Sequence, residues 1–291
     1  MYNNFIFKLK NNVVKNSIII ILRGHIRQSF DNSKLYDYLL YLSKQYKLHI
    51  FIHTWNIKSN NISWKDIEED TSIVNKNVIT DYFKNIKIEK IIIDDESNVD
   101  LIGNIVGNIK TTLMPIKGWK YMWYGMYRIT NYLLNNIKRY NLNVNTYTLN
   151  IRFDYFTNST INQYNLKNLS KLYNFKTSEI IFMKNLYNKN TMFGIDNIYF
   201  GHFYKIYYTV LLFHSNLDYI LECFDTIIAQ ERLVYILQEY INNYTDNHFD
   251  DDDYIILTIK MILTKLRVNY IKSHDKKVEI KLNTKELQIY K

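Results

Sequence analysis

The feature that most constrains this chain is the run over residues 17–22, a serine followed by Ile-Ile-Ile-Ile-Leu and closed by Arg23-Gly24-His25. Consecutive isoleucines place β-branched apolar side chains on both faces of an extended segment. Such a strand has to be covered on both sides, as a parallel strand inside an α/β sheet is. The residues that follow fit the rest of a βαβ unit. Asp31, Asn32 and Ser33 offer caps for a helix in which Leu35, Leu39, Leu42 and Tyr46 recur on one face, and a second strand is predicted over residues 48–53.

The alternation continues. Residues 56–69 are polar and predict a loop with a short helix, residues 73–84 a helix, and residues 88–93 a third strand ending in Asp94-Asp95-Glu96. Residues 100–117, with poor periodicity and the single proline Pro115, predict an irregular loop. A long helix is expected over residues 118–140, with Met122, Met126, Ile129, Leu133 and Ile137 in one stripe, and a fourth strand over residues 147–153. Further on, residues 179–183 predict a short strand, residues 196–213, 226–240 and 254–268 helices, and residues 278–282 and 287–290 a small hairpin. The fold class expected is α/β, one Rossmann-type domain with a mostly parallel sheet flanked by helices and a mainly helical C-terminal part. The domain is placed at residues 14–245, with residues 246–291 as an extension packed on it.

Composition narrows the function classes. Hydrophobic residues make up 47% of the 291, ample for a packed core. The single cysteine, Cys223, excludes an intrachain disulfide and fits a reducing compartment. No stretch approaches the ~20 apolar residues of a membrane span, and no signal peptide is apparent, so a cytoplasmic location is expected. The net charge of +9 and the 27 tyrosines raise a nucleic-acid-binding alternative. The lysines, however, are scattered among acids rather than gathered in a stripe, so no nucleic-acid partner is expected. The same positive balance suits an anionic small substrate.

In open α/β sheets ligands bind outside the carboxyl ends of the strands. The first strand ends in Arg23-Gly24-His25 with Arg27 close behind, where guanidinium forks suit a diphosphate or a base and Gly24 allows close backbone approach. The second ends in His53-Thr54-Trp55, where Trp55 is either a wall for a base or sugar or a core residue. On the fourth strand period two puts Asn150, Arg152 and Asp154 on one face. Either Arg152 and Asp154 satisfy each other, or Asp154 holds a divalent cation that bridges phosphates. Asp94-Asp95-Glu96 is a competing metal candidate. The four aspartates at 250–253 complement a helix dipole.

These strings carry a resemblance. IIILRGHIRQSF and HIFIHTWN, then KYMWYGMYRITNYL, NIRFDYF and DNIYFGH, resemble segments of a group of GT-A-type glycosyltransferases of large DNA viruses and of bacterial capsule and lipopolysaccharide loci. The resemblance covers residues 17–240 in patches. It implies a transferase that moves a sugar from a UDP- or GDP-linked nucleotide sugar to a glycan or other hydroxyl acceptor, with Mn²⁺ or Mg²⁺ as cofactor. Arg23, Gly24 and Arg27 would lie by the nucleotide. Arg152 and Asp154 would stand where the family keeps its metal motif. Asp196 and Asn197 would face the sugar or acceptor, with Asp196 as the base, and Glu231 would match a late family glutamate. NIRFD carries one acid where the family motif carries two, which leaves open a relative that binds a sugar nucleotide without transferring it.

Overall fold

The computed structural model describes residues 17–63, 66–109, 113–157, 181–182, 198–223, 233–234, 237, 241 and 260–265. In chain order the elements are β1 (Ser17–Arg23), α1 (Lys34–Ser43), β2 (Lys47–Trp55), β3 (Ile57–Ser59), β4 (Asp70–Ile73), α2 (Lys76–Phe83), β5 (Ile88–Asp94), α3 (Ile116–Asn136), β6 (Tyr147–Arg152), β7 (Ile181–Phe182), β8 (Ile198–His202) and α4 (Phe203–Cys223). Six strands form one sheet in the order β5-β2-β1-β6-β8-β7. β5, β2, β1 and β6 are mutually parallel, and β8 is antiparallel to both β6 and β7. This is the mostly parallel α/β sheet expected.

Strand β1 is buried along its whole length and splits the core in two. Ile18, Ile20 and Leu22 pack with Leu35, Leu39 and Leu42 of α1 and with Ile79 and Phe83 of α2. Ile19 and Ile21 face the other way, onto Trp123, Met126, Ile129 and Leu133 of α3 and Phe213 of α4. The two long helices are themselves locked together, with the rings of Trp123 and Phe213 stacked at 4.2 Å. Helices on both faces are what a strand with two apolar faces requires.

Four expectations need correction. Residues 56–69 hold no helix among the described positions; β3 within them pairs with β4, just after them, as a small antiparallel sheet. Ile73 therefore ends β4, and α2 begins at Lys76, where Asn75 caps the Val78 N–H at 3.1 Å. The long helix ends at Asn136 and tightens into a 3₁₀ turn over Ile137–Tyr140. Ile198–His202, expected to be helical, is a strand on β6, and the helix starts only at Phe203. The predicted hairpin over residues 278–290 lies outside the described residues.

The loop between β5 and α3 is irregular, as expected, but anchored. The carboxylate of Asp218 on α4 accepts the Asn104 N–H at 2.8 Å and pairs with the Lys120 ammonium at 2.7 Å. That ammonium also donates to the Ile102 carbonyl. Among the described residues no helix is long and apolar enough to cross a membrane.

The close approach of α3 to the sheet depends on Gly125. A Cβ there would stand 2.5 Å from His53 Nδ1. Gly125→Ala should therefore destabilise the fold by about 1–2 kcal/mol in urea or guanidinium unfolding, the overpacking cost outweighing the better helix propensity of alanine. A neutral or stabilising result would contradict this packing.

Candidate functional site

Strands β1, β2 and β6 end in step. Arg23 is the register partner of His53 on one side and of Arg152 on the other. Arg23 is only 2% exposed, and its Nε donates to Asn150 Oδ1 at 2.6 Å. This explains the buried asparagine on β6, because a buried guanidinium needs acceptors. Beyond Arg23 the chain turns at Gly24, with φ of 88°, and no atom lies within 4 Å of the place a Cβ would occupy. The carbonyl of Gly24 accepts the Thr54 hydroxyl at 2.9 Å, tying the ends of β1 and β2 together.

Arg27 has a φ of 47°, in the left-handed region that L-residues avoid. Its N–H donates to the Lys58 carbonyl at 2.9 Å, and its Nη1 donates to Asp154 Oδ2 at 2.7 Å. Asp154 does not continue β6. The strand stops at Arg152, and residues 153–156 form a 3₁₀ turn, so the period-two face holds for Asn150 and Arg152 and breaks before Asp154. Arg152 bends onto the turn and grips both carboxylate oxygens, Nε to Oδ1 at 2.9 Å and Nη2 to Oδ2 at 2.7 Å. Burial alone would raise the Asp154 pKa, but the Arg152 and Arg27 charges outweigh it and hold the carboxyl below its ordinary range.

Of the two readings of Arg152 and Asp154, the structure shows the mutually satisfied pair. Both Asp154 oxygens are occupied by guanidinium groups, and a divalent cation would have to displace them and sit beside two positive charges. Among the described residues no group of three or more His, Cys, Asp or Glu is arranged to hold a metal ion. This donor set does not fit Mn²⁺ or Mg²⁺.

His53 and Trp55 are core residues. His53 is fully buried, with Nε2 3.3 Å from Asp94 Oδ2, and Trp55 is 2% exposed, packed on Tyr121 and Tyr124 of α3. Trp55 is thus no open wall for a ligand. Arg128 also holds Asp94, through Nε at 2.9 Å. Burial would raise the Asp94 pKa, yet hydrogen bonds from His53 and Arg128 depress it far below the usual carboxylate value.

A cleft of about 580 Å³ opens beside these groups, at the carboxyl ends of β3 and β5 and against Tyr121 of α3. Glu96 lines it. Asn60 Nδ2 donates to both Glu96 oxygens at 2.7 Å, and His25 Nε2 lies 3.1 Å from Oε1. Asp95 serves the backbone instead, accepting the Ser97 N–H at 2.9 Å as the cap of the 3₁₀ turn over Glu96–Asn98. Glu96 had a sequence signal, as one of three acids after a strand. Asn60 had none, because its role comes from a contact 36 residues away.

The structure thus brings Arg23, Gly24, His25, Arg27, Arg152 and Asp154 to one edge of the sheet and withdraws His53 and Trp55 into the core. Asp196, Asn197 and Glu231 lie outside the described residues, as do the aspartates at 250–253. Comparison with protein-family models, curated proteins and solved structures finds no match to this chain.

Replacing Asp154 tests its pairing. Asp154→Asn should cost about 2–3 kcal/mol at pH 7 without any metal present, somewhat less than for a fully buried pair because both arginines are partly exposed. With a folded-state pKa below the unfolded value of about 3.9, the carboxylate's contribution is complete above that pH. It is lost as pH falls through the depressed folded value. The stability difference between wild type and variant should shrink correspondingly in acid, and a variant as stable as wild type at pH 7 would show that the pair holds nothing together.

Proposed function

We propose that the chain is a GT-A-type glycosyltransferase that moves a sugar from a UDP- or GDP-linked donor to a hydroxyl acceptor such as a glycan. One observation carries this reading. The strand order reverses between β1 and β6, the position where open α/β sheets bind ligands, and there Arg27 and Arg152, with side chains 24% and 23% exposed, flank the bare backbone turn at Gly24.

The chemistry asks for such groups. As the bond between the anomeric carbon and the phosphate oxygen breaks, its electron pair leaves with the nucleoside diphosphate, and preorganised positive charge lowers the energy of that state. Asp154 fixes these forks in place, accepting from Arg27 Nη1 and from Arg152 Nε and Nη2, so their charge is preorganised before a ligand arrives. The strained backbone at Arg27 supports the same reading, since glycine would fill that position more easily but would bring no charge. With both Asp154 oxygens held by guanidinium groups, the positive charge at this edge comes from the arginines rather than from a metal.

A thermal-shift screen of UDP- and GDP-sugars checks the proposal. At a donor concentration of about 100 times Kd the linkage contributes about 2.7 kcal/mol, a rise of several degrees in Tm. Arg27→Ala should weaken that binding by about tenfold or more. Arg27→Gly should lose it equally, yet be about 1 kcal/mol more stable than the alanine variant because the left-handed backbone is relieved. If no donor shifts Tm, the transferase reading fails.

A further inference from the structure

The acids at the carboxyl edge differ in what surrounds them. Asp154 is gripped by Arg27 and Arg152, and Asp94 by Arg128 and His53, so both are poor proton acceptors. Asp95 caps a turn. Glu96 is different. Its side chain is 11% exposed, and its described partners are an amide and an imidazole. A carboxylate that is nearly buried without a guanidinium or ammonium partner is costly, and the arrangement needs a reason. His25 adds a second observation. Its Nε2 is buried and 3.1 Å from Glu96, yet makes no aligned hydrogen bond. Two polar groups from separate strand ends are therefore held together with bonding capacity to spare, beside an open cleft.

The cleft fits a polyhydroxylated ligand. Its lining includes Asn60, Glu69, Asp95, Asp100 and Lys117, with the Lys117 ammonium 5.5 Å above the Tyr121 ring. Carboxylates and amides of this kind hydrogen-bond vicinal hydroxyls in pairs. An acidic lining disfavours a diphosphate, which keeps the two ends of the site distinct. Arg27 stands two residues after His25, and its backbone N–H bonds the carbonyl of Lys58, two residues before Asn60, so the two ends adjoin.

We propose that this cleft binds the acceptor sugar and that Glu96 is the base that takes the proton from its reacting hydroxyl, with Asn60 as a positioning residue. The proposal rests on the transferase reading. The acceptor O–H proton passes to a Glu96 oxygen and the acceptor oxygen bonds to the anomeric carbon. The bond to phosphate breaks, and its electron pair leaves on the nucleoside diphosphate beside Arg27 and Arg152.

The experiment presents an oligosaccharide panel to the full chain together with whichever UDP- or GDP-sugar raises its Tm, and follows nucleoside diphosphate release. Glu96→Gln should keep the donor-induced Tm rise while glycan-dependent release falls by roughly 100-fold or more. Wild-type release should also fall on the acid side of its pH profile, and Glu96→Gln should lack that limb. Asn60→Ala should shift the acid limb and lower release less than Glu96→Gln does. Undiminished release by Glu96→Gln, or no glycan-dependent release by wild type, would overturn the assignment while the donor reading stands. A chain whose Tm responds to no sugar nucleotide would instead remove the transferase reading itself, and this inference with it.

Discussion

The arrangement depends on one buried carboxylate. Asp154 sits in the turn after β6, and the two guanidinium groups that neutralise it come from opposite sides of the strand-order reversal, Arg27 from beyond β1 and Arg152 from β6 itself. An unpaired carboxylate at this depth would be prohibitive, and so would buried arginines without acceptors. The pairing fixes the turn after β1 against the end of β6, and it explains why Arg27 tolerates a left-handed backbone. Arg23 is held by the same logic one layer deeper, through Asn150.

Around that anchor the acids divide their tasks by partner rather than by position. Asp94, Asp95 and Glu96 are consecutive, yet one holds the buried His53 and the exposed Arg128, one caps a turn, and one meets Asn60 and His25 beside a cleft. A strand that ends in a 3₁₀ turn sends successive side chains in different directions, so adjacent acids meet different environments. Guanidinium contact lowers the proton affinity of Asp94 and Asp154, whereas Glu96 has an amide and an imidazole for partners.

Much of the fold was legible in the sequence because it rests on long, strongly patterned segments. Ile18 to Leu22 could only be a strand covered on both faces, and the Leu35, Leu39, Leu42 stripe and the Met126, Ile129, Leu133 stripe both face the core. What escaped was short or ambiguous in period. Ile57–Ser59 and Asp70–Ile73 pair as strands of three and four residues, too short to display alternation. Ile198–His202 runs straight into a helix rich in tyrosine and phenylalanine with no turn residue between, so the sequence read as one helix throughout. At the site, Arg23, Gly24, Arg27, Arg152 and Asp154 were visible as polar closures of apolar strands. For His53-Thr54-Trp55 the sequence left wall and core readings open, and the core reading holds because α3 lies close over the sheet at Gly125.

The sheet's own construction explains why all of this chemistry gathers at one edge. Strands covered by helices on both faces have no room for charge along their length, and β1 carries none from Ser17 to Leu22. Because β5, β2, β1 and β6 are parallel, their polar closures fall on the same side, and the register of Arg23 with His53 and Arg152 aligns three of them within one step. The antiparallel strand β8 reinforces the effect, since its first residue, Ile198, pairs with Ile151 immediately before Arg152 and so begins at that edge too. Among the described residues this core pattern gathers the strand-closing polar groups at that edge. The specificity of the site must therefore come from the turns that leave that edge, each held by a long-range polar contact: Gly24 by Thr54, Arg27 by Lys58 and Asp154, and Glu96 by Asn60.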